Sequence, residues 1–175
     1  PFFARAADLA AWRAAAEALA RRVEAVAQAA LGDPAMMRTL HLRPDARAWV
    51  EIDPGYDTIS VLARPDAIFL DGKIRYVEYN SDSPAMMAFS DHVAECLLEL
   101  PHLRGRGLRG ETQLPRLLDT LLDCYRRYGG AGSPTIAIAD WPGQKTRFEH
   151  ARIAEYFESR GCPTVVCDPR AFSRP

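Results

Sequence analysis

The sequence predicts an α/β (mixed α+β) protein in which an antiparallel hairpin sheet and a βαβ unit pack against helices. An Asp-Gly pair at 71–72 separates two short apolar runs, which is typical of a tight β-hairpin because both turn positions need positive φ. Further on, an apolar strand, an amphipathic helix and a second apolar strand follow one another, and this order indicates parallel strands. With 48% hydrophobic residues among 175, the chain can fill a core.

The N-terminal segment, residues 1–58, is predicted to be helical. Apolar residues recur at steps of three and four over about 4–31 and form one stripe: Leu9, Trp12, Ala16, Leu19, Val23, Val26 and Ala30. Gly32-Asp33-Pro34 ends this helix, and a shorter helix is expected at 34–40, followed by turns. The stripe is that of a helix packed on its own domain.

The next segment, residues 59–128, contains the hairpin. Three short runs are expected to be strands of one sheet, at 59–62, 67–70 and 74–79. A helix at about 85–100 should follow, with Ser83 as its N-cap and Pro84 at its first position. Its apolar side chains are interpreted as core: Met86, Met87, Val93, Cys96, Leu97 and Leu100. A further helix is expected at 112–128, before Gly129-Gly130.

Polar residues converge at one end of the hairpin. Glu78 and Asn80 are two apart on a strand and share a face, and antiparallel pairing places Asp66 beside them. Two carboxylates and an amide oxygen suit a hard cation such as Mg²⁺, and Arg64 is close enough to meet an anion beside it. The alternative is that these residues only form turns and caps, for which Asp and Asn are common.

The motif is denser than these four residues. Arg64-Pro65-Asp66, the Asp71-Gly72 turn and the run 77–84, Val-Glu-Tyr-Asn-Ser-Asp-Ser-Pro, resemble the magnesium-binding hairpin of glutathionylspermidine synthase and similar circularly permuted ATP-grasp proteins. The resemblance implies that Asp66, Glu78 and Asn80 hold Mg²⁺ that bridges ATP phosphates. It further implies that Arg64 is catalytic, beside an acyl phosphate and the substrate carboxylate, and that Ser83 is near the substrate.

The resemblance implies an ATP- and Mg²⁺-dependent carboxylate–amine ligase that forms an amide bond through an acyl phosphate. The expected partners are therefore a small-molecule or peptide carboxylate and an amine. Neither Lys73 nor Lys145, the only lysines, matches a nucleotide-clamp position of that family. The segment is therefore expected to be part of a longer protein, inactive by itself and with its ATP clamp elsewhere. A non-catalytic ATP-grasp-like scaffold is the alternative.

A glycine-rich run at 104–110 formally contains a GxGxxG pattern. A dinucleotide fingerprint follows a strand and opens a helix, whereas this run follows a predicted helix and is rich in arginine. The run is interpreted as a solvated connection. A Rossmann-type nucleotide site here is a third alternative, and it would require a strand immediately before Gly105.

The C-terminal segment, residues 129–175, is predicted to be the βαβ unit. Its strands are expected at 135–139 and 164–167, with a helix at 146–160 between them. Open α/β sheets bind ligands beyond the carboxyl ends of their strands, so the loops at 140–143 and 168–170 are candidate substrate loops. The segment also resembles the substrate-side α/β layer of permuted ATP-grasp proteins.

Charge and composition exclude several classes. The net charge is −1 with both signs mixed, which favours neither nucleic acid nor an anionic membrane surface as a partner. Membrane-spanning apolar runs are absent from the sequence, and a cytoplasmic location is expected. The four cysteines lack zinc-site spacing and are interpreted as buried, reduced thiols, while the four histidines are interpreted as structural or exposed. Oligomeric state is left open.

Overall fold

The computed structural model describes residues 2–55, 57–71, 73–81 and 83–173. The chain forms two compact units, residues 1–84 and 85–175. The segment boundaries expected at 58 and 128 fall inside these units, and the division into three segments stays a prediction. The mixed α/β class is confirmed, with an antiparallel two-stranded sheet in the first unit and a parallel pair in the second.

The first unit begins with three helices. They are α1 (Ala6–Gly32), α2 (Pro34–Thr39) and α3 (Pro44–Val50). The expected stripe of α1 is buried or half-buried except for Val26, which is exposed, because Ala27 takes its place on the inner face. Asp33 caps α2 by accepting a hydrogen bond from the amide of Ala35 at 2.7 Å. α3 was missed because Pro44 was assigned to a turn, although proline also suits the first turn of a helix.

The hairpin is confirmed, with β1 (Arg64–Leu70) paired to β2 (Lys73–Asn80) in antiparallel fashion. Asp71 has the positive φ that a tight turn requires, at 51°, while Gly72 and Asp82 lie outside the described residues. One face of the hairpin packs on α1: Phe69 lies 4.6 Å from Trp12, ring centroid to centroid. The hydroxyl of Tyr76 donates a hydrogen bond to the Trp12 carbonyl at 3.4 Å, and burial raises the pKa of this tyrosine.

The third strand expected at 59–62 is wrong, because these described residues are irregular. Instead, the Glu24 carboxylate of α1 accepts hydrogen bonds from the amides of Ile59 at 2.8 Å and Ser60 at 3.2 Å. Burial of Glu24 favours its neutral form, but the hydrogen bonds from Ile59, Gln28 and Ser60 outweigh burial and lower the pKa of the carboxyl. Backbone amides that a sheet would have used are thus satisfied by a side chain.

The second unit contains three helices and the parallel strands. In chain order these are α4 (Met87–Leu98), α5 (Leu114–Arg127), β3 (Ile136–Ala139), α6 (Arg147–Ser159) and β4 (Thr164–Cys167), with a short 3₁₀ turn at Pro169–Ala171. The strands pair in parallel from Ile136 opposite Thr164 to Ala139 opposite Cys167, which confirms the βαβ unit. Its buried apolar residues are Ala88, Leu114, Leu117, Leu118, Phe157 and Cys162.

The inner face of α4 differs from the expected one. Ala88 and Asp91 are buried, whereas Met86, Val93, Cys96 and Leu100 are exposed. Ser83 is not the N-cap either, because the helix starts at Met87 with Met86 in the left-handed region. The buried side of α4 therefore contains the polar residue Asp91 in place of part of the apolar stripe that the sequence predicted.

Two buried carboxylates cap helix starts in this unit. Glu149 of α6 accepts hydrogen bonds from the amides of Met86 at 2.9 Å and Ala88 at 3.1 Å, at the start of α4. Asp91 of α4 accepts from the amides of Gln113 at 2.8 Å and Leu114 at 3.0 Å, at the start of α5. Because the first amides of a helix have no intrahelical partner, both carboxylates are matched to positive helix ends. Among the described residues, no helix is both long and apolar enough to cross a membrane.

Candidate functional site

The hairpin residues singled out in the sequence lie on the same face of the sheet. Asp66 pairs directly with Glu78, and Arg64 pairs with Asn80. Residues opposite each other in an antiparallel ladder share a face, as do residues two apart on one strand. The four side chains therefore form a continuous polar patch at the open end of the hairpin.

A β-bulge decides which face this is. The register shifts between Asp66 and Ala67, so that Ala67 pairs with Tyr76 and Val77 has no partner in the ladder. Since Asp66 and Ala67 point to opposite faces, Glu78 and Tyr76 do as well, although they are two apart in sequence. Tyr76 can therefore face α1 while Glu78 faces away from it, and Glu78 is exposed.

Within the patch, Arg64 is the organising side chain. Its Nε donates to Oδ1 of Asp66 at 3.1 Å, and both side chains are about two-fifths exposed, at 42% and 41%. Nδ2 of Asn80 donates to the backbone carbonyl of Arg64 at 3.1 Å, which leaves the amide oxygen of Asn80 as the atom that can bind a cation. Arg64 neutralises part of the charge on Asp66, so a cation would compete with it for this carboxylate.

Ser83 is not part of this ladder. It follows the end of β2 by three residues, is exposed and has a left-handed backbone with φ of 42°. Its assignment to a substrate stays a prediction.

The donor types of the patch fit Mg²⁺. The ion is usually held by one or two carboxylates and keeps water or phosphate oxygens in its other positions. Asp66 and Glu78 supply carboxylates and Asn80 supplies an amide oxygen. Among the described residues, no group of three or more His, Cys, Asp or Glu side chains could hold a metal ion.

The candidate substrate loops of the second unit lie at the carboxyl ends of β3 and β4. Asp140 accepts hydrogen bonds from Oγ1 of Thr146 at 2.8 Å and from the Trp141 amide at 2.7 Å. Asp168 is paired with the guanidinium of Arg170, which lies 5.7 Å from the centre of the Trp141 ring. The Thr146 hydroxyl and the Arg170 guanidinium lower the pKa values of Asp140 and Asp168 respectively.

The two loops thus touch through Arg170 and Trp141, but both aspartates are already engaged by local donors. This pattern is typical of turns that stabilise the end of a strand. No role in substrate binding follows from these contacts.

The glycine-rich run at 104–110 lies between α4 and α5. All residues from 83 to 113 are described. After α4 they form only turns and irregular chain, so this segment contains no strand before Gly105. The Rossmann alternative is therefore wrong, and the connection predicted from the arginines is confirmed.

Sequence reasoning missed the residues that hold the segments in place: Glu24, Asp91 and Glu149. Their partners lie 35 and 36 residues away for Glu24, and 61 and 63 residues away for Glu149. No local spacing signals such a contact, because acceptor and donor meet only after packing. The one available signal was an acidic residue that interrupts the hydrophobic periodicity of a helix.

Comparison of the chain with protein-family models, with curated protein sequences and with solved structures returned no match. A functional proposal for the chain therefore rests on its residues, their register and the motif they form.

Proposed function

We propose that the hairpin is the metal and phosphate corner of an ATP- and Mg²⁺-dependent carboxylate–amine ligase of the circularly permuted ATP-grasp type. The observation that carries this proposal is the register, in which Asp66 faces Glu78 and Arg64 faces Asn80. The proposal extends the resemblance of the hairpin motif to the glutathionylspermidine synthase group. Its substrates would be a carboxylate and an amine that are joined through an acyl phosphate.

The side chains divide the work by chemistry. Asp66, Glu78 and Asn80 are the oxygen donors that would hold the cation. A bound Mg²⁺ supplies charge neutralisation for the phosphate oxygens of ATP. Arg64 then exchanges its contact with Asp66 for one with an anionic substrate group, for which a guanidinium is well suited.

A non-catalytic binding protein that keeps the hairpin is the second candidate. It is favoured by the two lysines of the sequence, Lys73 and Lys145, neither of which matches a nucleotide clamp. Such a protein would bind a divalent cation or an anion at the hairpin without cleaving ATP.

Cation binding to the 175-residue chain is the first test. Mn²⁺, a paramagnetic probe for Mg²⁺ sites, should bind and be displaced by Mg²⁺. Glu78→Gln should weaken Mn²⁺ binding at least tenfold. Even the loss of a residue that only hydrogen-bonds to a metal ligand lowers metal affinity about 10–100-fold. Asp71→Asn is the matched control, because it removes a carboxylate from the same hairpin while asparagine tolerates the positive φ of the turn.

ATP cleavage separates the two candidates. For a full-length protein that carries a nucleotide clamp, the ligase predicts Mg²⁺-dependent release of phosphate, stimulated by a carboxylate and amine pair and lost in Glu78→Ala. Binding of Mn²⁺ without ATP cleavage in that full-length protein would favour the second candidate. Equal Mn²⁺ affinity in Glu78→Gln, Asp66→Asn and the unchanged protein would reject the site itself.

A further inference from the structure

The exposed side of α4 carries three side chains in the order of a nucleophile, a base and an orienting acid. Nε2 of His92 lies 3.8 Å from Sγ of Cys96, and Nδ1 of His92 lies 3.6 Å from Oε2 of Glu95. The spacing of four and three residues explains the contacts, because such positions are neighbours on a helix surface. The thiol is free and exposed, unlike that of buried Cys162.

The arrangement favours one direction of proton transfer. When Nδ1–H faces Glu95, the lone pair of Nε2 faces the thiol and can accept its proton. Cys96 lies in the last turn of α4, one helical turn after His92, so the two side chains are neighbours on the surface of the helix.

A cleft of about 390 Å³ opens beside the cluster, within the same unit. Glu95 and Arg152 line it, joined by an ion pair of 3.5 Å, and so do Tyr156 and Arg160. The guanidinium of Arg160 lies 5.1 Å from the centre of the Tyr156 ring. Arg160 therefore offers a cation to an anionic group at this cleft. Glu155 of α6 and the buried Asp91 also line the cleft, and Glu99 follows the end of α4.

We propose that Cys96 is a modification site that forms mixed disulfides with small carboxylate-bearing disulfides, with His92 as proton acceptor. The thiol proton moves to Nε2 of His92, and the sulfur of Cys96 attacks one sulfur of the small disulfide. The sulfur–sulfur bond of the reagent breaks and its second sulfur departs as a thiolate, while the proton on His92 is passed to water. One disulfide is consumed and one is formed, so the small disulfide is the oxidant. The proposal is independent of the hairpin and of the proposed ligase.

The reaction can be followed with dithiobis(nitrobenzoate), an aromatic disulfide that bears carboxylates and releases a coloured thiolate. One thiol of the folded chain should react fast, and mass spectrometry should place the adduct on Cys96. Cys96→Ser should remove the fast phase. His92→Gln should slow it at least about tenfold at neutral pH and change its pH profile, because the thiolate is the reacting form.

His102→Gln is the matched control, since His102 is also exposed in this unit but has no cysteine beside it. It should leave the rate unchanged, and circular dichroism should confirm that all variants are folded. Arg160→Gln should slow the anionic reagent about threefold and leave neutral dithiodipyridine unaffected. A fast phase that survives Cys96→Ser, or an unchanged rate in His92→Gln, overturns the proposal.

Discussion

The carboxylates of the hairpin and those of the second unit lie in opposite environments. Asp66 and Glu78 lie on an open sheet face, where Arg64 contacts Asp66. Asp91 and Glu149 are 5% and 2% exposed, and each accepts hydrogen bonds from backbone amides at the start of a helix. A buried carboxylate whose oxygens are satisfied by the backbone contributes to the fold, whereas an open one can exchange its partners for a ligand.

Glu149→Ala should have the largest effect on stability. It leaves the amides of Met86 and Ala88 without their acceptor in a buried place and removes packing around α4. We expect a loss of about 3 kcal/mol in the free energy of unfolding, measured by urea titration. Glu158→Ala, on the exposed side of the same helix, should change it by less than about 0.5 kcal/mol. Equal losses in the two variants would contradict the capping role of Glu149.

Asp91→Asn should rank second. The asparagine keeps one oxygen acceptor for the amides of Gln113 and Leu114, but its amide nitrogen cannot accept a hydrogen bond. We expect a loss of about 2 kcal/mol, with faster hydrogen exchange at the start of α5. Asp119→Asn, exposed on α5, is the control for the loss of charge alone. Unchanged exchange at 113–114 in Asp91→Asn would show that the cap is dispensable.

Glu24→Gln should have a smaller effect that depends on pH. Because the pKa of Glu24 is lowered in the folded state, its ionised form stabilises the fold above the pKa of the unfolded chain. That contribution is lost as the pH falls through the lowered value, so the two proteins should converge below about pH 4. At neutral pH we expect a difference of about 1 kcal/mol in the free energy of unfolding. If the difference in the free energy of unfolding grew on acidification, the lowered pKa of Glu24 would be contradicted.

Glu78→Gln and Asp66→Asn should hardly affect stability. Glu78 is exposed and the pair of Arg64 with Asp66 is a surface ion pair, so we expect changes below about 0.5 kcal/mol without metal. A divalent cation should raise the melting temperature of the unchanged protein but not that of the variants. A large loss of stability without metal would show that the hairpin carboxylates stabilise the fold, as Glu149 does.

Much of the local structure followed from spacing. The Asp-Gly turn, the steps of three and four in α1 and the apolar runs of β3 and β4 predicted their elements, because each depends on neighbouring residues. The arrival of Asp66 and Glu78 at the same end of the hairpin was also predictable, since a tight turn sets which strand ends meet. Their direct pairing was not, because the turn alone would place Asp66 opposite Val77, and the bulge at Val77 shifts the register by one residue. The metal-binding role of these residues stays a prediction.

The sequence by itself determined the hairpin, the parallel pair and the identity of the polar residues at the end of the hairpin. Only the tertiary structure decided that Val77 forms a bulge, that residues 59–62 are not a strand and that Cys96 is exposed beside His92. The physical reason is range. Periodicity and turns depend on residues a few positions apart. Glu24 and Glu149, in contrast, accept hydrogen bonds from backbone amides far along the chain. These contacts form only in the folded chain, where they override the local preference for a strand or a helix cap.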